Sequence, residues 1–286
     1  MNLVYNNILL VFFNTNQLFM VQPKPLQFVD IGVNLTNNRF DKDRTQVLER
    51  AFEAGVTTII ITGTNARDSQ QAYKLALTYK QCYATAGCHP HDAETMTEAD
   101  FDIIKALHQH EKIVAVGECG LDFNRNFSSA DSQIRVFRQQ LKLACELKKP
   151  LFLHERDASD TMLEMLWEYQ SELPPAVIHC FTGSQQALEQ YLELGLYIGI
   201  TGWICDERRG GDLQHAIKSI PVDRIMLETD APYLLPRDLK QQPAHKRRNE
   251  PCYLPHICES AAKHMGIDHQ QLANAALDNT RRFFVL

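Results

Sequence analysis

Apolar positions along this chain fall into two alternating rhythms. Short apolar runs rich in β-branched residues occupy 28–33, 56–62, 82–87, 113–118, 150–154, 176–179, 196–201 and 224–229. Stretches such as Ile59-Ile60-Ile61 and Ile113-Val114-Ala115-Val116 lack the in–out alternation of a half-exposed strand. They predict strands covered on both faces, as in a parallel sheet. Between the runs the spacing changes. Ile134, Phe137, Leu141, Ala144 and Leu147 recur every three or four residues and form one helical stripe, which Pro150 ends. Eight such strand–helix units over about 250 residues match the size and order of an α/β (β/α)8 TIM barrel. A doubly wound open sheet is the alternative, but it does not usually need eight strands. Helical segments at 254–265 and 268–284 are expected to close the barrel.

The 286 residues are 44% apolar, enough for a sizeable core. No linker or low-complexity tract divides them, so 28–286 reads as a single catalytic domain. Residues 1–27 read as an N-terminal extension outside the fold, or as sequence upstream of a true start at Met20. The apolar stretch at 8–13 is short and has neither a basic lead nor a small-residue cleavage site, unlike a signal peptide. No apolar run approaches the roughly 20 residues that span a bilayer. A net charge of −6 argues against coating duplex DNA by charge, while permitting a local basic rim. The eight cysteines include no C-x-x-C pair and read as reduced, mostly buried thiols. The even spread of charge gives no reason to expect more than a monomer.

Chemistry-bearing residues gather at strand ends. Glu118 stands in Gly117-Glu118-Cys119-Gly120-Leu121-Asp122; His154 and His179 end the fifth and sixth strands; Asp230 follows the eighth in Glu228-Thr229-Asp230-Ala231-Pro232-Tyr233. In a barrel those ends converge on one face. Glu118, His154, His179 and Asp230 therefore form a candidate metal-ligand set. Its oxygen and imidazole donors suit Mg, Mn or Zn, for use in activating a water. Singly, each histidine reads as well as a hydrogen-bonded packing residue. Gly87-Cys88-His89-Pro90-His91 ends the third strand, and His89 and His91 read as phosphate or substrate contacts more readily than as ligands.

The same loops carry Arg125, Arg156, Arg208, Arg209, Arg237, Lys246, Arg247 and Arg248, an arginine-rich rim suited to an anionic substrate. Phe123, Phe127, Phe181, Trp203 and Tyr233 are candidates for stacking on bases, Trp203 foremost. The polar stretch 206–211 reads as a mobile lid.

These segments, together with Arg248-Asn249-Glu250-Pro251, resemble the TatD family of metal-dependent deoxyribonucleases over 28–284. The resemblance implies a divalent cation, most often Mg, and hydrolysis of single-stranded DNA, with RNA as an alternative substrate. It further implies 3′-to-5′ exonuclease action in the cytoplasm, in DNA repair or nucleic-acid degradation. On that pattern Glu118 and Asp230 are catalytic, and Glu118, His154, His179 and Asp230 are ligands. Asn34, His89, His91, Arg156, Trp203, Arg208, Arg209 and Arg248 would contact substrate. Most of the family begin with an Asp-x-His-x-His turn. Here Asp30-Ile31-Gly32-Val33-Asn34 lacks both histidines, which puts a second metal in doubt. The rival readings are a hydrolase of a small ester, lactone or amide on the same barrel, and a non-catalytic nucleic-acid-binding relic.

Overall fold

The computed structural model describes residues 25–240, 243, 245 and 247–286. Nearly all of the expected extension, and Lys246, lie outside the described residues. Eight parallel strands lie in chain order: β1 (Phe28–Val33), β2 (Val56–Ile61), β3 (Cys82–Ala86), β4 (Ile113–Asp122), β5 (Leu151–Arg156), β6 (Ala176–Ile178), β7 (Tyr197–Ile200) and β8 (Ile225–Leu227). Helices α1 (Arg44–Glu53), α2 (Ala66–Thr78), α3 (Glu98–Leu107), α4 (Ala130–Leu147), α5 (Ser159–Glu168), α6 (Gln185–Glu193) and α7 (Gly211–Ala216) alternate with them. Helices α8 (Leu254–Met265) and α9 (His269–Phe284) follow β8. This is the (β/α)8 barrel.

Two apolar layers explain the unbroken hydrophobic runs. Ile31, Ile60, Ala115, Phe152, Val177 and Met226 fill the barrel interior, where Phe283 and Phe284 of α9 join them. Their strand neighbours Ile59, Ile61, Val116 and Ile178 pack outward against the helices. Alternate residues point to opposite faces, and here both faces are dry.

The seam between β1 and β8 closes differently, through one isolated bridge, Val33 with Ala231. Around it Asn34 N–H donates to Ala231 O (2.8 Å) and Asp230 N–H to Gly32 O (2.9 Å). The buried Asp30 carboxylate accepts from Thr229 N–H (2.9 Å) and Thr229 Oγ1–H (2.6 Å). Burial pushes the Asp30 carboxyl up to about 8, against those bonds.

Strand β4 runs past the expected end at Glu118 and continues through Cys119-Gly120-Leu121 to Asp122. Its pairing with β5 shifts register between Gly117 and Cys119. Gly117 and Gly120 both take φ +141°, and a Cβ on either would overlap the carbonyl of Phe152 or His154. Only glycine permits this approach of two backbones.

Candidate active site

Glu118 stands at the centre of the site. Its Oε1 lies 2.7 Å from His179 Nε2, 3.0 Å from His154 Nδ1 and 3.4 Å from His89 Nε2. Burial opposes ionisation of Glu118. The positive character of His179 and His89, with hydrogen bonds from His154 and His179, outweighs it and holds the carboxyl well below its usual range.

Crowding of imidazoles around one carboxylate oxygen is what a cation at this point would relieve. His89, Glu118 and His154 present donor atoms within 4.8 Å of one another. His154 Nε2 is buried without a hydrogen bond, its approach to Asp122 Oδ2 being 3.4 Å. Carboxylate and imidazole donors suit a divalent ion.

His179 is set for ligation by Glu228. Its Nδ1 lies 3.4 Å from Glu228 Oε2, so the proton there faces a carboxylate and Nε2 faces Glu118. Such a carboxylate behind a histidine fixes the ring's orientation and tautomer. His89 is set differently. Its Nδ1 accepts the His91 N–H (3.1 Å), so the neutral ring carries its proton at Nε2, aimed into the cavity. Burial lowers its pKa, against the pull of Glu118. His89 thus turns Nε2 towards Glu118, and its position puts it among the possible ligands.

Asp230 faces this group from the turn after β8, with φ +54°. Asn34 Nδ2–H donates to its Oδ1 at 2.8 Å. Burial raises the Asp230 carboxyl to about 7; His179 opposes this, and the negative Glu118 and Glu228 add to it. Asn34 therefore orients Asp230 as well as lining the cavity. His91 Nε2 bonds to Asp122 Oδ2 at 2.7 Å, and Asp122 is held below the usual carboxylate range, its bonds outweighing burial.

These groups line a cavity of about 640 Å³ that also includes Arg125, Arg156, Thr182, Trp203, Arg209 and Tyr233. Arg156 Nη1–H donates to Thr182 Oγ1 (2.6 Å), and Arg209 lies 4.4 Å over the Trp203 ring. Two expected substrate contacts lie elsewhere. Arg248 is buried and donates to Asp43 Oδ1 (2.8 Å), Asp43 Oδ2 (2.6 Å) and Glu250 Oε1 (2.7 Å), tying the 248–250 segment to the start of α1. Arg208 lies outside the cavity wall, with its N–H and Nε–H directed at Asp206 Oδ1 (3.0 and 3.4 Å). Phe181 is 1% exposed and packs in the core, so it offers no face to a base. The 206–211 stretch expected as a lid is a turn wrapped on the buried Asp206 carboxylate that leads into α7.

Sequence reading passed over Glu228 and Asp122. Both sit an even number of residues from a recognised site residue, Asp230 and Glu118, and period two would have flagged them. Glu228 also accounts for the missing first-strand histidine. A Cβ on Gly32 would overlap Glu228 Oε2, and one on Gly199 would lie 2.6 Å from Oε1. The carboxylate of Glu228, fully buried and accepting Cys180 N–H at 2.5 Å, fills the room that a side chain at 32 would need.

Among known proteins, the TatD related DNase family matches residues 29–285. The chain is 52% identical over 255 residues to the 3′-5′ ssDNA/RNA exonuclease TatD of Salmonella typhimurium, covering 89% of this chain and 98% of that protein. Identity to the same-named protein of Pectobacterium atrosepticum is 53% over 261 residues, covering 90% and 99%. Of solved structures, YJJV, a TatD homologue from Escherichia coli, superposes with a TM-score of 0.81 at 30% identity, covering 91% of this chain and 98% of that one. A TatD family hydrolase from Entamoeba histolytica gives 0.82 at 27% identity, covering 91% and 98%. With a barrel of this form, and with a match that runs from the first strand to the last helix, the chain belongs to the TatD related DNase family.

Proposed function

We propose that this chain is a cation-dependent nuclease that removes nucleotides from the 3′ end of single-stranded DNA or RNA, with Mg as its working ion. The observation that carries the reading is the convergence of three imidazoles on Glu118, opposite Asp230, in an arginine-walled cavity. The names of its relatives supply the substrate class and polarity.

Glu118, His154 and His179 would hold the cation, with His89 beside them. Such an ion supplies positive charge to the phosphoryl oxygens and acidifies a water. The residues of the chain do the rest. Asp230, its carboxyl raised to about 7, is matched to taking a proton from the attacking water near neutrality. Asn34 holds that carboxylate in place. The water oxygen attacks phosphorus, the P–O3′ bond breaks, and the released 3′-oxygen takes a proton from solvent to become a hydroxyl. His89 Nε2–H and the guanidinium of Arg156, braced by Thr182, face the charge that builds on the phosphoryl oxygens. Trp203 offers a ring to a base, which suits a reader indifferent to sequence.

All eight cysteines are free, which suits the reducing cytoplasm, and no helix among the described residues is long and apolar enough to cross a membrane. We place the activity in the cytoplasm, on a single chain, in DNA repair or nucleic-acid degradation. The test is a single-stranded oligonucleotide labelled at its 5′ end, incubated with the protein and Mg. Wild type should give a ladder shortening from the 3′ end, and Glu118→Gln should slow it by at least ~100-fold. A Glu118→Gln protein that is folded and fully active would remove the reading.

A further inference from the structure

Beside the active-site cavity, a second one of about 550 Å³ opens across the wall formed by Trp203, Arg209 and Leu234, residues common to both. Its volume falls in the range of roughly 300–1,000 Å³ that holds small ligands. The two cavities adjoin along these residues, and the backbone is closely packed between them. A Cβ on Gly202 would overlap Leu234 O and lie 3.3 Å from the Pro236 ring, so only glycine lets the turn carrying Trp203 rest on the 234–236 segment.

The lining of this groove has a polarity of charge. Glu207 Oε2 stands 3.6 Å from Arg237 Nε at its rim, and among the described residues that line it Arg209, Arg237 and Arg247 stand against one carboxylate, that of Asp206. That carboxylate is already surrounded. Arg209 Nε–H donates to Asp206 Oδ2 at 3.0 Å, and Arg237 Nε lies 3.8 Å from Oδ1. Asp206 thus fixes the guanidinium groups without cancelling them. Leu235 and Pro236 give the groove an apolar floor. Cationic walls over an apolar floor, continuous with a phosphodiester-cutting centre, fit a single strand better than a small neutral ligand.

We propose that this groove is the binding site for the nucleotides that lie 5′ of the one being removed. Trp203 takes the nucleotide at the step between the cavities, and Arg237 with its neighbours takes the phosphates behind it. The inference rests on the nuclease reading above and assigns it a chain-length dependence. A dinucleotide ends at the step and never reaches Arg237, whereas a hexanucleotide crosses it.

The test compares wild type with Arg237→Ala and Arg237→Glu on thymidine di- and hexanucleotides with Mg. For the hexanucleotide, Arg237→Ala should raise KM several-fold and leave kcat alone, and Arg237→Glu should raise it further. The slope of log(kcat/KM) against log salt should also shallow by about 0.7, the loss of one single-strand phosphate contact. Dinucleotide turnover should stay unchanged in both variants. Unchanged hexanucleotide kinetics in Arg237→Glu, or an equal loss on both substrates, would overturn the proposal. Fluorescence anisotropy with a phosphorothioate hexanucleotide separates the two readings. Binding that Arg237→Glu weakens supports the groove even if wild type cuts neither substrate, a result that would end the nuclease reading alone. Binding that neither variant alters overturns the groove.

Discussion

Replacing Gly32 by alanine places one methyl group where the first strand faces Glu228. The ideal Cβ would overlap Glu228 Oε2, with Phe152 Cζ at 3.2 Å and Glu228 Cδ at 3.5 Å. Neither neighbour can yield freely. Glu228 is pinned by Cys180 N–H at 2.5 Å and stands 2.6 Å from any Cβ built on Gly199, while Phe152 is fully buried in the barrel interior. Forced overpacking of this kind costs about 1–3 kcal/mol, and melting falls by on the order of 2–4 °C for each kcal/mol in a chain somewhat smaller than this one. Glu228→Ala should also destabilise, because it strips the acceptor from Cys180 N–H and His179 Nδ1, at about 1–3 kcal/mol for groups left unpaired in the interior. In the Gly32→Ala/Glu228→Ala double variant the methyl enters the space the carboxylate left, so the costs should fall short of additive by about 1 kcal/mol or more. Urea unfolding of the metal-stripped proteins gives the cycle. A Gly32→Ala protein that unfolds like wild type, or strictly additive costs, would refute the account of why the histidine is absent at 32.

Addition of Mg, Mn or Zn to metal-stripped protein should raise the melting temperature, by the equivalent of about 2.7 kcal/mol at a hundredfold excess over Kd. His154→Ala should abolish the rise; a shift that survives in that variant would place the ion elsewhere. Arg248→Ala should destabilise by about 1–3 kcal/mol, because buried Glu250 keeps Arg50 but loses Arg248, and Asp43 loses both of its Arg248 bonds. Activity per folded molecule should be unaffected, and a raised KM with wild-type melting would restore Arg248 to the phosphate-binding set. Asp30, pushed up to about 8, holds its proton when folded between pH ~4 and ~8, while the unfolded chain releases it. Folding therefore takes up a proton, and stability falls as pH rises through that window. Asp30→Asn should gain on wild type from pH 4 to 8, as followed by urea midpoints; a constant difference would contradict the buried, protonated state.

The barrel was legible because its strands are buried on both faces. Ile59-Ile60-Ile61 announces itself through composition alone, since Ile60 meets the interior and its neighbours meet the helices. The site was legible where a strand end carries an unusual residue, as at Glu118, His154, His179 and Asp230. What sequence could not show was pairing across long chain separations. Arg248 resembles a phosphate contact until Asp43, 205 residues away, is seen to hold it. Arg208 is a local case, paired with Asp206 two residues before it through a turn that reads in the sequence as a lid. The extent of β4 beyond Glu118 was hidden because Gly120 looks like a loop residue, and Gly117 shows nothing locally of its packing on β5. Their role is set by β5 carbonyls that no local pattern reveals.

The β1–β8 seam ties the circumference of the barrel to its chemistry. The bonds that close the ring, from Asn34 N–H, Asp230 N–H and Thr229 N–H, are made by the proposed base, Asp230, and by residues that hold it or stand next to it. Among the described residues the seam has no ladder of its own to fall back on, only the single bridge at Val33 and Ala231. A fluctuation that parts the two strands therefore disarms Asp230 in the same movement. Amide exchange at 34, 229 and 230 would read ring opening and inactivation as one event, so that a partly opened barrel is never a partly working enzyme.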